Sequence, residues 1–99
     1  SNGTGTLYLN TDSTTSSILL TSNVLKYQVL DGTNEVASGI VSSTGNLPIY
    51  SNIEINNQVK QLTVYIWIDG SLVNNDNSND ILSSVYKGNI SMSIESGDK

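Results

Sequence analysis

The sequence predicts an all-β domain: an antiparallel β-sandwich of about seven short strands with an immunoglobulin-like outline. The first observation is a strict period of two across residues 61–69. One face carries Leu62, Val64, Ile66 and Ile68, and the other carries Thr63, Tyr65, Trp67 and Asp69. The second is a turn signal about every 8–12 residues. The third is the lack of any amphipathic run long enough for a helix of about ten residues.

The first third of the chain predicts two strands. Residues 6–10 form a short strand with Leu7 and Leu9 pointing inward. A polar Ser/Thr loop and a brief apolar run, residues 18–21, follow. Residues 24–30 then alternate, with Leu25, Tyr27 and Val29 on one face and Lys26 and Gln28 on the other.

Turn residues divide the middle of the chain. Asp31-Gly32 lies between two alternating runs and predicts a β-hairpin. The returning strand ends near Ser42, with Val36 and Ile40 inward. Residues 43–46 form the next turn, and Pro48 is expected to start a strand or lie on an edge strand.

The second half contains three further predicted strands. Residues 53–55 form a short strand, residues 56–57 form a turn, and the alternating strand of residues 61–69 follows as the expected centre of the core. Residues 71–84 are irregular. The Asn and Asp side chains of residues 74–80 are expected to bond their own backbone and favour turns, and Ile81, Leu82 and Val85 have the spacing of one helical turn. The last strand is expected to point Ile90, Met92 and Ile94 inward.

Length and composition indicate a single domain covering residues 1–99. Residues 1–5 are expected to be a flexible lead-in or a tag remnant, and residues 96–99 a frayed tail. Only 13% of the residues are charged, about half the usual share. Ser, Thr and Asn replace the charged residues, a composition common in secreted and surface-displayed β-domains.

The charge balance excludes two classes of partner. The net charge is −5, and the four basic residues are all lysines: Lys26, Lys60, Lys87 and Lys99. A nucleic-acid partner requires a basic surface, which the chain lacks. An anionic membrane surface is disfavoured for the same reason, and no apolar run is long enough to insert into a membrane.

The chain contains neither histidine nor cysteine. Their absence removes the Ser–His–Asp and Cys–His nucleophile systems, disulfides, and metal sites built on thiolates or imidazoles. No motif places two carboxylates across a cleft for glycoside hydrolysis. We therefore expect no enzymatic activity, no catalytic residue, no bound metal and no cofactor.

Tyr65 and Trp67 are the candidate ligand-binding residues, because they share one strand face two positions apart. On an exposed sheet, paired aromatic rings stack on sugars. The competing interpretation, which the thin supply of aromatic residues favours, places Trp67 in the core.

The sequence offers two further candidate sites, a Ca²⁺ site and an isopeptide cross-link. Asp69, Asp76 and Asp80, with the asparagines between them, offer the hard oxygen ligands that Ca²⁺ prefers, although the EF-hand spacing is absent and a solvated loop is favoured. An isopeptide cross-link would need a buried lysine beside an asparagine and an acid. Lys26 with Glu54 or Glu95 is the best available set, and alternation points Lys26 outward.

The motif Tyr65-Ile-Trp-Ile-Asp-Gly70, the Asn/Asp-rich loop after it and Tyr86-Lys-Gly88-Asn-Ile90 resemble a known pattern. The pattern is that of C-terminal β-domains of exported, membrane-anchored surface proteins of Gram-positive bacteria. These proteins carry a pilin-like or signal-type N-terminus and are largely uncharacterised. The hairpin at Asp31-Gly32 and the strand at 53–55 fit the same arrangement, so the resemblance covers residues 18–95.

The resemblance implies a secreted or cell-surface location and a structural or binding role. We therefore expect a non-enzymatic structural or adhesive domain of a surface or pilus-type protein. Its partner would be another protein, or further copies of itself joined through strand edges. The alternative function is a small carbohydrate-binding module that uses Tyr65 and Trp67.

Overall fold

A computed structural model describes residues 3–56 and 58–96 of the chain. In this range the chain forms six β-strands, two short α-helices and one 3₁₀ turn. The strands are β1 (Gly3–Thr11), β2 (Leu25–Asp31), β3 (Asn34–Ile40), β4 (Gly45–Ile55), β5 (Leu62–Ile68) and β6 (Gly88–Ser96). The helices are α1 (Ser17–Thr21) and α2 (Ser78–Leu82), and the 3₁₀ turn covers Gly70–Leu72.

The strands form two three-stranded antiparallel sheets in a sandwich-like arrangement. Sheet A has the order β4-β1-β6, and sheet B has the order β3-β2-β5. The all-β prediction is confirmed, with six strands in the described residues against the expected seven or so. The long β4 accounts for part of the difference, because it includes the separate strand predicted at residues 53–55.

Strand β1 is the centre of sheet A and, from Gly5 to Thr11, alternates strictly between buried and half-buried positions. Leu7 and Leu9 point into the core, as predicted, together with Gly5 and Thr11. The opposite positions of β1 carry polar or aromatic side chains and form the outer face. The expected flexible lead-in is wrong for residues 3–5, which already belong to β1 because Gly3 pairs with both Ile55 and Ser96.

Strand β2 is the centre of sheet B and forms the predicted hairpin with β3. Gly32 in the connecting turn adopts a left-handed φ of 63°, a conformation that glycine accepts without steric cost. A second glycine, Gly39, is required for packing. The ring of Tyr27 lies so close that a Cβ at this position would come within 2.7 Å of the tyrosine hydroxyl.

Strand β5 lies at the edge of sheet B and pairs with β2 alone among the described residues. The expectation that it forms the centre of the core is therefore wrong. Val64 and Ile66 face the core, yet no residue of β5 is fully buried. A strict period of two requires different environments on the two faces of a strand, and an edge strand meets that condition as well as a central one.

The core lies between the two sheets and is closed at one end by the helices. Its buried apolar side chains are Leu7, Leu9, Leu19, Leu20, Val24, Leu25, Val29, Val41, Ile49, Ile53 and Ile81. The short helix α1 supplies Leu19 and Leu20, and α2 supplies Ile81. The predicted helical turn of Ile81, Leu82 and Val85 is confirmed in part, because α2 includes Ile81 and Leu82 but ends before Val85.

Strand β6 pairs with β1 at one edge of sheet A, and its core-facing side is poorly covered. Its inward residues Ile90 and Met92 stand opposite Leu9 and Leu7, and Ile94 stands opposite Gly5. Although these three side chains point inward as predicted, they remain 44%, 42% and 60% exposed. Sheet B does not extend far enough to cover them.

The two sheets therefore leave one side of the sandwich open. Strands β3 and β4 follow each other in the chain and approach each other at one side. Strands β5 and β6 consequently both lie on the other side, which we call the open side. The Cα radius of gyration is 15.8 Å, compared with about 13 Å for a compact domain of about 100 residues.

Three remaining expectations concern strand ends. Pro48 lies in β4, an edge strand of sheet A, where its missing N–H is tolerated as predicted. The predicted turn at residues 56–57 falls partly on residue 57, which is outside the described residues. Ser96, the first residue of the predicted frayed tail, still belongs to β6, and the rest of that tail, residues 97–99, lies outside the described residues.

Truncating the two cross-strand partners Leu9 and Ile90 should have very different effects. Leu9 is 1% exposed and Ile90 is 44% exposed. We expect Leu9→Ala to lower the free energy of unfolding by about 2–5 kcal/mol through loss of apolar burial and creation of a cavity. Ile90→Ala should cost less than about 1.5 kcal/mol. Urea unfolding measures both, and equal costs would contradict the placement of β6 at an open edge.

Candidate functional site

The outer face of sheet B brings together side chains from the neighbouring strands β2 and β5. Antiparallel pairing of β2 with β5 sets Trp67 opposite Lys26 and Tyr65 opposite Gln28. Because directly opposed residues in a sheet point to the same face, these four side chains share one surface. We call the surface formed by Lys26, Gln28, Tyr65 and Trp67 the aromatic face.

Both aromatic side chains of this face are accessible to solvent. Tyr65 is 52% exposed and Trp67 is 44% exposed. The expectation that Trp67 belongs to the core is therefore wrong. The apolar positions of β5, Val64 and Ile66, supply the core contacts of this strand instead.

Polar groups that can donate and accept hydrogen bonds surround the two rings. The Gln28 Nε2 atom donates to Glu35 Oε1 at 2.7 Å, and Ser38 on β3 stands opposite Gln28. A shallow depression of about 380 Å³ lies beside Trp67 and is bordered by Lys26, Gln28, Glu35 and Ser38. This surface combines flat rings, which can stack on a ligand, with amide, hydroxyl and carboxylate groups, which can donate or accept hydrogen bonds.

Asp69 ends this strand and orients the turn after it. Its Oδ1 atom accepts hydrogen bonds from the Ser71 backbone N–H at 3.0 Å and from the Ser71 hydroxyl at 2.7 Å. These bonds, and then the charge of Lys26, whose Nζ lies 3.7 Å from Asp69 Oδ2, lower the pKa of Asp69 below its ordinary value of 3.8. Asp69 is thus an ionised cap of the 3₁₀ turn.

The isopeptide set considered from the sequence is not brought together. Lys26 points outward from sheet B, as its alternation predicted, and forms an ion pair with Asp69. Glu54 and Glu95 lie on sheet A, where both pair with Thr4. The lysine and either glutamate therefore belong to different sheets.

The Asn/Asp-rich loop folds onto its own backbone. Asn74 Oδ1 accepts from the N–H groups of Asp76 and Asn77, at 2.9 and 3.1 Å, and Asn77 Oδ1 accepts from the Asn74 N–H at 2.7 Å. The prediction that these side chains bond to neighbouring backbone groups is confirmed. Across residues 3–56 and 58–96, no three acidic side chains gather into a metal-binding group, so Asp69, Asp76 and Asp80 remain apart.

A second concave surface lies on the open side, between β5 and α2. This cleft, of about 640 Å³, is lined mainly by apolar side chains, among them Leu25, Ile66, Ile68 and Ile81. Trp67 borders it as well and so lies between the cleft and the aromatic face. Tyr86 forms the end of the cleft, where its hydroxyl and that of Thr11 form a hydrogen bond at 3.1 Å.

Sequence reasoning identified Tyr65 and Trp67 but missed the groups around them. Lys26 and Gln28 were recognised as outward-facing residues of their own strand. Their position beside the aromatic rings depends on the pairing of β2 with β5, which alternation alone does not reveal. Exposure of the apolar stripe of β6 was also missed, because an inward-pointing residue gives the same pattern whether or not the facing sheet covers it.

Neither short helix of the described residues is long and apolar enough to cross a membrane. Comparison with protein-family models, curated proteins and solved structures finds no match. Inferences about function therefore depend on the surfaces described above.

Proposed function

We propose that this chain is a non-enzymatic, extracellular structural or adhesive domain of a bacterial surface or pilus-type protein. In this proposal the domain associates with a protein partner, or with further copies of itself, through strand edges. The observation that carries the proposal is the open side, where two edge strands and a set of exposed apolar side chains lie together. Unprotected edge strands are sites at which another chain can add a strand.

The residue types present support a binding role over a catalytic one. The chain has no histidine or cysteine for nucleophilic or imidazole chemistry. The aromatic face and the open side are both surfaces rather than enclosed pockets with opposed acidic groups. A domain of this kind acts through the shape and chemistry of its surface.

The extracellular and Gram-positive assignments rest on composition and on the sequence resemblance. A surface rich in hydroxyl and amide groups, with 13% charged residues, is typical of displayed β-domains. The motif around Trp67 and the segment Tyr86-Lys-Gly88 fall in β5 and just before β6, the two edge strands of the open side. The motifs that carry the resemblance therefore flank the surface that we propose for association.

An immunoglobulin-like outline is part of this proposal. Pairing of β1 with β4 and of β2 with β5 corresponds to the B–E and C–F pairs of an immunoglobulin domain. In that correspondence β6 occupies the place of strand A, next to β1. The place of strand G, next to β5, is then the open position of sheet B.

Surface labelling of the cells that produce the protein tests the proposed location and role. Antibodies raised against the domain should bind intact cells, and protease added outside the cells should remove the signal. A cytosolic protein serves as the control that is labelled only after permeabilisation. If the domain also required permeabilisation, the proposed surface role would be wrong.

The alternative function, a carbohydrate-binding module, is favoured by the exposure of Tyr65 and Trp67 on one face. On this alternative, soluble cell-wall oligosaccharides shift the emission of Trp67, the single tryptophan. Tyr65→Ala then weakens binding by about tenfold, since the loss of one stacking contact of ~1.4 kcal/mol has that effect. Tyr8→Ala on sheet A is the matched control. An unchanged spectrum with every glycan tested would remove this function.

A further inference from the structure

In strand β6, the residues whose backbone groups are unpaired are also the residues whose apolar side chains are exposed. The Asp12 N–H donates to the Lys87 carbonyl at 2.8 Å, which identifies this pair as hydrogen-bonded across β1 and β6. In an antiparallel pair, hydrogen-bonded and non-bonded positions alternate. Because the register between β1 and β6 has no shift, Asn89, Ser91 and Ser93 also bond to β1.

The alternate residues of β6 therefore direct their N–H and C=O groups away from β1. Among them are Ile90, Met92 and Ile94, whose side chains form the exposed apolar stripe of the open side. Among the described residues no strand pairs with this edge. A strand added here would gain main-chain hydrogen bonds and apolar contacts at the same three positions.

The sequence of β6 is complementary to itself in the antiparallel direction. Pairing two copies about Met92 sets Ile90 opposite the partner's Ile94, and Met92 opposite the partner's Met92. On the outer face the same register sets Ser91 opposite the partner's Ser93, and Glu95 opposite the partner's Asn89. Every apolar side chain then meets an apolar one, and no carboxylate meets another.

The strand also lacks the devices that keep natural edge strands apart. Proline, lysine and inward-pointing charges block edge pairing in many β-proteins. Residues 88–96 contain no proline and no lysine, and their one charged residue, Glu95, is on the outer face. The net charge of −5 per chain opposes association of two copies, but Glu95 is the only contribution to it from this strand.

We propose that two copies of this chain pair through β6 in an antiparallel register centred on Met92. The pairing joins two sheets A into one six-stranded sheet of order β4-β1-β6-β6-β1-β4. The two-fold axis runs perpendicular to that sheet, so the apolar stripes of both copies lie side by side on the core-facing surface. This pairing identifies the partner in the proposed function as a second copy of the chain, and its biological role rests on that proposed function.

Cysteine pairing tests the register directly, because the chain contains no cysteine of its own. Ser91 and the partner's Ser93 occupy a non-hydrogen-bonded position, where Cα atoms are about 4.5 Å apart, a distance that a disulfide spans. A mixture of S91C and S93C chains under mild oxidation should form mainly the mixed disulfide. Each variant alone should cross-link poorly, and so should S51C, which places a thiol on the other edge strand of sheet A.

Sedimentation of two neighbouring lysine variants tests the apolar stripe. Ile94→Lys adds a charge on the core-facing side, and Ser93→Lys adds the same charge on the outer face. We expect I94K to weaken dimerisation by about tenfold or more, because each lysine replaces an apolar cross-strand contact twice in the dimer. S93K, whose lysine faces solvent on the outer face, should weaken dimerisation far less than I94K does. Thermal unfolding at low concentration confirms that both variants are folded.

Three results would overturn the pairing. They are a monomer at every concentration up to about 1 mM, equal effects of I94K and S93K, or growth into species larger than a dimer. The last would indicate a head-to-tail contact of β6 with another edge. These results bear on the pairing alone: if antibodies label intact cells, the proposed surface role stands even when the pairing is overturned. If labelling fails, the surface role is wrong whether or not the chain dimerises.

Discussion

The structure depends on the burial of one face of each of two central strands. Strand β1 contributes Leu7 and Leu9 and strand β2 contributes Leu25 and Val29, and all four are almost fully excluded from water. The outer strands add few fully buried side chains, with Ile49 and Ile53 of β4 as the main exceptions. A chain with 36% hydrophobic residues can therefore fill the space between the central strands while leaving the side with β5 and β6 open.

Local features of the sequence predicted local features of the fold. The inward positions of β1, the hairpin at Asp31-Gly32 and the self-bonded Asn74 loop all follow from alternation or from turn chemistry within a few residues. Features that depend on pairing between strands far apart in the chain could not be predicted from such local patterns. The period of two in β5 predicts a strand at the centre of the core, but an edge strand satisfies the same pattern, and at this edge Trp67 faces solvent.

The candidate site shows the same division between local and distant information. Tyr65 and Trp67 were visible as an aromatic pair because they are two residues apart on one strand. Their polar neighbours Lys26 and Gln28 come from a strand about forty residues earlier, and only the β2–β5 register places them alongside. The exposure of Met92 depends on how far the opposite sheet extends, a quantity that no single strand encodes.

The open edge of β6 connects the fold to its proposed role, and amide hydrogen exchange tests it most directly. In a dilute solution we predict slow exchange for Asn89, Ser91 and Ser93, whose N–H groups bond to β1, and fast exchange for Ile90, Met92 and Ile94. Raising the protein concentration should slow the second set and leave the first unchanged. Uniformly slow exchange along β6 at high dilution would contradict the account, because it would mean that both edges of the strand are paired within one chain.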